Sequence, residues 1–378
     1  MHESNHIATP EKVHRYHCPG CGADLVFEPV DGCLTCPYCG RQERIAGDDD
    51  AAGAAGVEER GYEEYLLPRP ERMGTLAANA LEVKCQSCGA VTTFAPPEVA
   101  GECEFCGAKI VAQTVSADPM LAPEGVLPFC VAHAEATEAI RKWLSSLWFA
   151  PNALKQLAAQ ESIGGVYIPF WTYDAHTESR YTGQRGEHYH VSESYTATDA
   201  QGRTETRTRQ VRKTRWHPAT GKVSRWFDDL LIPATKSLAP NRLAALEPWD
   251  LTELKRYEPA YLAGYKAQRY QVELAEGFER AKELAAATIQ SDVRRDIGGD
   301  EQQVSSVSTH YSGVTFKHLL LPVYAGAYRF RERVFQVVVN GRSGEVQGER
   351  PYSVWKIFLF VLFLLAVAGV LIFVFGSK

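Results

Sequence analysis

The stretch "GCLTCPYCG", Gly32 to Gly40, holds three cysteines in two overlapping C-x-x-C pairs, Cys33 with Cys36 and Cys36 with Cys39. Which pair is used decides how the first third of the chain folds. "HCPGCGADLVFEP" from His17 and "KCQSCGAVTTFAP" from Lys84 align at an offset of 67 residues: Cys18 on Cys85, Cys21 on Cys88, Phe27 on Phe94 and Pro29 on Pro96. Carried forward, the offset puts Cys36 on Cys103, Cys39 on Cys106 and Gly40 on Gly107, while Cys33 falls on Ala100. The internal repeat selects Cys36 and Cys39 and leaves Cys33 out.

Each unit then reads C-x2-C, fourteen residues, C-x2-C, a spacing that suits a tetrahedral four-thiolate zinc site. Two intervening residues let both sulfurs turn inward at a tight knuckle, about 2.3 Å from a metal. Gly22, Gly40, Gly89 and Gly107 follow the second cysteine of each pair, where the chain must turn sharply and a Cβ would hinder it. Disulfides or an iron–sulfur cluster are the competing uses of eight cysteines. Two copies at one spacing favour two structural zinc ions, held by Cys18, Cys21, Cys36, Cys39 and by Cys85, Cys88, Cys103, Cys106. Four ligands leave no open position for water, so neither site reads as catalytic. His14, His17, His188 and His190 are read as solvated, because the cysteines already close both sites. Metal removal is expected to unfold residues 14–112 and leave the remainder folded.

The chain has 378 residues, 45% of them hydrophobic, enough for two or three domains with one sizeable core. "MHESNHIATPEKVHRYH" has no apolar signal-peptide core, and C-x-x-C pairs without such a signal point to a reducing compartment. From Ile357 to Phe375, nineteen residues carry no charge, about the length that crosses the ~30 Å hydrocarbon core of a bilayer. Trp355 and Lys356 stand where interfacial anchors do. The expectation is a tail-anchored, single-pass protein of the inner or plasma membrane, touching the bilayer through residues 357–375 with its N-terminal bulk in the cytosol.

Residues 46–60, "AGDDDAAGAAGVEER", read as flexible acidic linker. From Met1 to Cys130 there are 20 acidic and 9 basic residues, a net of −11, while the whole chain is −6. Binding to phosphate backbones depends on Lys and Arg, so acidic ribbons suit a protein partner better than nucleic acid. In "RTETRTRQVRKTR", Arg203, Arg207, Arg209, Lys213 and Arg215 share one parity and Thr204, Thr206, Thr208 and Thr214 the other. As a strand this has a basic face and a threonine face. It reads first as a charge-protected edge strand. Its functional reading is contact with anionic lipid, or with an acidic partner, at residues 203–215.

Between residues 126 and 350 the pattern is that of an α+β domain. Ile140, Trp143, Leu144, Leu147 and Trp148 form a helical stripe, and Pro151 opens a further helix. "GGVYIPFWTYDAH" from Gly164 is β-rich, with Pro169 implying an edge or bent strand. The segment from Pro259 to Ile297 is roughly helical. "FKHLLLPVYAGAYRF" and "RVFQVVVNGRSGEV" read as strands, with Asn340-Gly341 and Ser343-Gly344 as turns. There is no phosphate-binding loop, H-E-x-x-H, G-x-S-x-G or G-x-G-x-x-G. Glu187, His188 and His190 lack a nucleophile or pocket signature, and no enzyme is read.

These features resemble a family of bacterial membrane-anchored zinc-ribbon proteins of the transcription-factor-IIB type. The resemblance is carried by Cys18 to Gly40, "PFWTYD" from Pro169 to Asp174, "YEPAYLAGY" from Tyr257 to Tyr265, "LLPV" from Leu320 to Val323, and Val339 to Ser353. Such proteins are often encoded beside phage-shock-type and SPFH membrane proteins, and some are mislabelled as a primosomal helicase. The resemblance implies a role in a membrane-stress or membrane-organising complex. The expected architecture is multidomain: zinc ribbons at 14–45 and 81–112, a flexible acidic linker at 46–80, an α+β domain with antiparallel strands and long helices at 126–350, and a C-terminal transmembrane helix at 354–376. The expected function is a non-enzymatic membrane adaptor whose ribbons bind a protein; the alternative is a membrane-tethered nucleic-acid-binding protein.

Overall fold

The computed structural model describes residues 16–45, 57–66, 73–74, 81–94, 100–111, 120–151, 163–198, 204–330, 333–350 and 352–376. Three strands, β1 (Val26–Glu28), β2 (Cys33–Thr35) and β3 (Gln42–Glu43), make the first ribbon. After β4 (Arg60–Gly61) and β5 (Met73–Gly74), the second ribbon is two hairpins, β6 (Leu81–Lys84) with β7 (Val91–Phe94) and β8 (Ala100–Glu102) with β9 (Lys109–Val111). Strand β10 (Met120–Leu121) pairs with β5, and β11 (Gly125–Val126) enters a nine-stranded sheet.

That sheet is built on three very long strands: β12 (Gly164–Thr198), β13 (Thr204–Pro233) and β16 (Glu301–Phe330). Short strands β14 (Lys255–Arg256) and β15 (Lys266–Ala267) lie between β13 and β16 in sequence, and β17 (Arg333–Asn340) and β18 (Val346–Gly348) follow. Strand β12 is central, antiparallel to β13 on one side and to β16 on the other. At about 3.3 Å per residue its 35 residues span roughly 115 Å.

The expectation of an α+β domain with long helices is therefore corrected: the molecule is mostly one large β-sheet with few helices. Helix α1 (His133–Ser146) buries Ile140 and Leu144 of the expected stripe together with Ala136, Leu147 just past its end is buried too, and Trp148 is exposed. The helical region expected from Pro259 to Ile297 narrows to α2 (Leu274–Ile297), and the helix expected after Pro151 lies outside the described residues. The segments read as strands extend much further than expected, and their continuations are polar. From Glu178 to Thr198, Thr204 to Asp229 and Glu301 to Thr315 the pleat carries Thr, Ser, Arg and Gln, with no apolar alternation to report it.

Pro169 is also not on an edge. It pairs with Leu320 in β16, and its carbonyl accepts the Ala234 N–H just beyond the end of β13. In a strand the N and C=O of one residue point to the same side, so the absent proline N–H faces the point where the β13 ladder has already ended.

Burial falls away along β12 in three steps. From Val166 to Ala175 both faces are covered; Val166, Ile168 and Phe170 point to one core, Tyr167, Trp171 and Tyr173 to the other. From His176 to Gly186 only the face under α2 is buried. Beyond that, residues 187–198 and 204–215 form a two-stranded arm with no third strand among the described residues.

The start of α2 is held by Trp171 Nε1 donating to Val272 O at 2.9 Å and Tyr173 Oη donating to Leu274 O at 2.7 Å. Within the expected acidic linker, residues 57–66 lie on the sheet: β4 pairs with Thr315 and Phe316. Glu59, Asp174 and Asp229 converge on Lys317, with Nζ at 3.1, 3.7 and 2.8 Å. Burial pushes Asp174 up to about 6. Burial also opposes the Lys317 charge, but Asp229, Asp174 and Glu59 outweigh it and hold the lysine above its usual range.

The expected membrane span is not supported. Helix α3 runs Val354–Gly376, with side chains described through residue 369. The side chains of residues 370–375, the end of the uncharged run, lie outside the described residues. Among the described residues no helix is long and apolar enough to cross a membrane. The single-pass, inner-membrane placement falls with that span. The root of α3 is tied to the body by Lys356 Nζ donating to Ala150 O at 2.8 Å.

Gly277 provides a test of how α2 sits on the sheet. A Cβ there would overlap Tyr173 Oη and come within 2.9 Å of Trp171 Cδ1, both buried and hydrogen-bonded. Alanine normally stabilises a helix interior over glycine by roughly 1 kcal/mol. Here Gly277→Ala is expected to destabilise by about 1–3 kcal/mol through overpacking, read by chemical denaturation.

Candidate metal centres

Four knuckles of one design build the two centres. In each, the N–H of the glycine donates to the carbonyl of the first cysteine of the pair: Gly22 to Cys18, Gly40 to Cys36, Gly89 to Cys85 and Gly107 to Cys103, all at 2.7–2.9 Å. The first cysteine's own N–H donates to the residue after the glycine, Ala23, Arg41, Ala90 and Ala108 in turn. The glycines sit at φ of 77°, 71°, 75° and 68°, where a side chain would be strained. The loops thus aim two sulfurs each at a common point.

The result is two groups of four thiols, Cys18, Cys21, Cys36, Cys39 and Cys85, Cys88, Cys103, Cys106, the sulfurs of each group lying within 4.8 Å of one another. Across the first centre Cys18 Sγ is 3.4 Å from Cys39 Sγ, and Cys21 Sγ 3.5 Å from Cys36 Sγ. Across the second, Cys85–Cys106 and Cys88–Cys103 are both 3.6 Å. A disulfide needs about 2.05 Å. A tetrahedron with metal–sulfur bonds of about 2.3 Å sets its sulfurs about 3.8 Å apart. The groups fit a shared ion and not a pair of disulfides, and each could hold one metal.

The knuckle N–H groups also prepare the charge. The Cys39 and Tyr38 N–H groups bring the Cys36 thiol down to about 6. Cys39 receives the Arg41 N–H, which lowers it, but contact with the Cys18 and Cys36 sulfurs carries it up to about 12. One sulfur of the crowded set gives up its proton easily and another resists until a cation arrives.

Cys33 lies in β2, its sulfur 3.7 Å from Thr35 Oγ1 and outside the first group, as the repeat requires. Cys130 is exposed beside Arg342. His17 pairs with Asp24 and His188 with Glu301, neither of them joining a cysteine group, and His14 lies outside the described residues.

The spacing did not reveal how the centres attach to the sheet, and here the repeat breaks. The first ribbon lies on the face of β12 that carries Tyr167 and Trp171. Phe27, 1% exposed, packs edge-on to Tyr261 at 5.5 Å, and its N–H donates to Ala263 O. The second lies on the opposite face. Phe105, fully buried in its knuckle, joins Val166, Ile168 and Val338, and its carbonyl accepts from Gln336 Nε2 at 2.5 Å. Gln271 Nε2 donates to Gly89 O at 3.1 Å, Thr92 bridges Gln268, and Lys266 pairs with Glu104. The 67-residue offset equates Phe105 with Tyr38, yet Tyr38 is 83% exposed. Both ribbons share core with the sheet, so the effect of metal removal is now expected to reach beyond residues 14–112.

The class defined by this fold and these sites is a β-sheet protein clamped on both faces by tetracysteine ribbons. Over 344 residues the chain is 29% identical to a protein of Bacillus subtilis (strain 168) named "Uncharacterized protein YdjG", covering 90% of this chain and 91% of that one. No family model matches the chain, and no solved structure matches it. Of the resemblance to membrane-anchored zinc-ribbon proteins, the two cysteine groups are what the structure supports.

Elemental analysis of the purified protein is expected to find about two metal ions per chain, the number that two closed four-thiolate sites take. Cys36→Ser should leave one and Cys33→Ser both. A Cys33→Ser protein with a single ion would put the register in error.

Proposed function

We propose that the chain is a non-catalytic scaffold in which two structural zinc ions hold a β body rigid, and that the first ribbon docks a protein partner through its outer knuckle. Zinc is favoured by four soft thiolates in a closed tetrahedral set with no open position. The observation that carries the docking role is the contrast between Phe105 and Tyr38. One knuckle aromatic is a plug already seated in the body; its repeat equivalent stands in solvent on an identical turn. Val30, 69% exposed, lies on the same ribbon. A rigid knuckle presenting an aromatic needs little ordering on binding, and tyrosine is a frequent anchor of protein interfaces.

The arm gives little support to the nucleic-acid or lipid reading. Three of its cations engage two carboxylates of the arm: Lys213 pairs with Glu193 at 2.7 Å, Arg209 with the same glutamate at 3.6 Å, and Arg207 with Glu205 at 3.5 Å. Arg215 lies over Tyr189, and Arg203 is outside the described residues. A phosphate surface would have to displace those carboxylates.

The test is a photo-crosslinking residue at position 38, compared with one at the exposed Leu284 on α2. A discrete protein adduct from position 38, lost on chelation and absent from position 284, is the expected result. Binding of DNA or RNA with sub-micromolar affinity at physiological salt, lost when Arg207, Arg209 and Lys213 become Glu, would overturn the reading in favour of nucleic acid.

A further inference from the structure

The outer edge of β16 is used unevenly. At Thr315 and Phe316 it is paired with β4, and at Leu319 and Leu320 with β11. Between Glu301 and Val314 nothing among the described residues pairs with it. The ladder with β12 shifts register between Val304 and Ser306 and again between Ser312 and Thr315. Between those irregularities, Ser306 to Ser312 is a regular open edge of seven residues, roughly 20 Å long.

Helix α2 does not cover this edge. It is drawn toward the other side of the sheet, where Asp292 takes Arg225 Nη2 at 2.8 Å and Asp296 accepts from Tyr181 Oη. A groove of about 380 Å³ is left between the helix and β16. Its floor and walls include Ala286, Ile289, Val304, Val307 and Tyr311. Arg294 stands at one end, exposed, with no carboxylate partner among the described residues. At the other end Lys282 Nζ lies 5.7 Å from the centre of the Tyr311 ring.

We propose that this groove is a binding site for an extended peptide segment of a partner protein, which adds to the Ser306–Ser312 edge as a further strand. Alternate side chains, small or β-branched and apolar, would enter between Ile289 and Val307, and a carboxylate would meet Arg294. Three observations carry it. The backbone of β16 offers unpaired N–H and C=O groups beside an apolar trough, the arrangement that strand addition uses. The chain already fills the adjacent part of the same edge with its own Arg60–Gly61. The unpaired guanidinium sets the sign of the missing partner, since an exposed arginine over an apolar groove complements an acidic residue. The site does not depend on the Tyr38 knuckle and lies on α2 and β16, away from both metal centres.

The test measures fluorescence anisotropy of a labelled, acetylated peptide of about nine residues alternating valine and threonine around a central glutamate, titrated with the full chain. Saturable binding is expected. Ala286→Trp, which fills the groove from an exposed helix position, should weaken it by about tenfold or more, and Leu284→Trp, exposed on the same helix outside the groove, should not. Arg294→Glu should weaken the glutamate peptide by about tenfold and strengthen one in which lysine replaces glutamate. Circular dichroism of the variants checks that each is folded. Failure to saturate, or equal affinity for the wild-type and Ala286→Trp proteins, would overturn the proposal. So would a concentration-dependent dimer abolished by Ala286→Trp, which would make a second copy of the chain the occupant. Tyr38→Ser separates this site from the ribbon reading, because it should leave peptide binding intact.

Discussion

Side chains alternate across a strand, and β12 turns that alternation into two separate cores. Val166, Ile168 and Phe170 look one way, Tyr167, Trp171 and Tyr173 the other. A sheet buried on both faces needs a layer on each, and helices α1 and α2 supply part of the layer over Tyr167, Trp171 and Tyr173. Cysteine ribbons are layered onto both faces as well, Phe27 on one side and Phe105 on the other. Burying one such ring contributes about 1.5–3 kcal/mol, but only if the knuckle that carries it holds its shape. Metal binding to small thiolate modules is largely folding free energy. The two centres thus act on the sheet through the aromatic each one aims.

Moving along β12, the strand loses one covering layer and then the other. Where both layers are present the residues are mostly apolar; under α2 they are mixed; in the arm they are mainly Glu, His, Ser, Thr and Tyr. An isolated two-stranded ribbon is marginal in water. This one is supported by cross-strand charge pairs of Glu193 with Lys213 and Arg209, and at its root by His188 Nε2, 2.7 Å from Glu301. Lys213 and Arg209 of the basic face thus also tie the two strands of the arm to each other through Glu193.

The metal groups were legible because their grammar is local: cysteine spacing, a glycine after each pair, and a second copy to settle the register at Cys36. The attachment of the ribbons was not, since Tyr38 and Phe105 occupy the same place in the repeat and differ only in what lies opposite them. The sheet was half legible. "GGVYIPFWTYDAH" and "FKHLLLPVYAGAYRF" announce strands through apolar and aromatic residues, whereas the polar continuations of both are strands only because neighbours pair with them. Pro169 reads as an edge or a bent strand; the edge alternative fails because a ladder ending beside the missing N–H serves as well. The apolar run near the C-terminus is helical in the expected place, but among the described residues no helix is long and apolar enough to cross a membrane.

The most direct test of the two-core account is amide hydrogen exchange across β12 in a chain whose second centre is disabled by Cys103→Ser. If the ribbon closes its core through Phe105, protection should fall along Val166–Phe170 and in β17, around Val338, well away from the substituted knuckle. Exchange confined to residues 81–111, with β12 as protected as in the intact protein, would contradict the account and make the ribbons independent appendages.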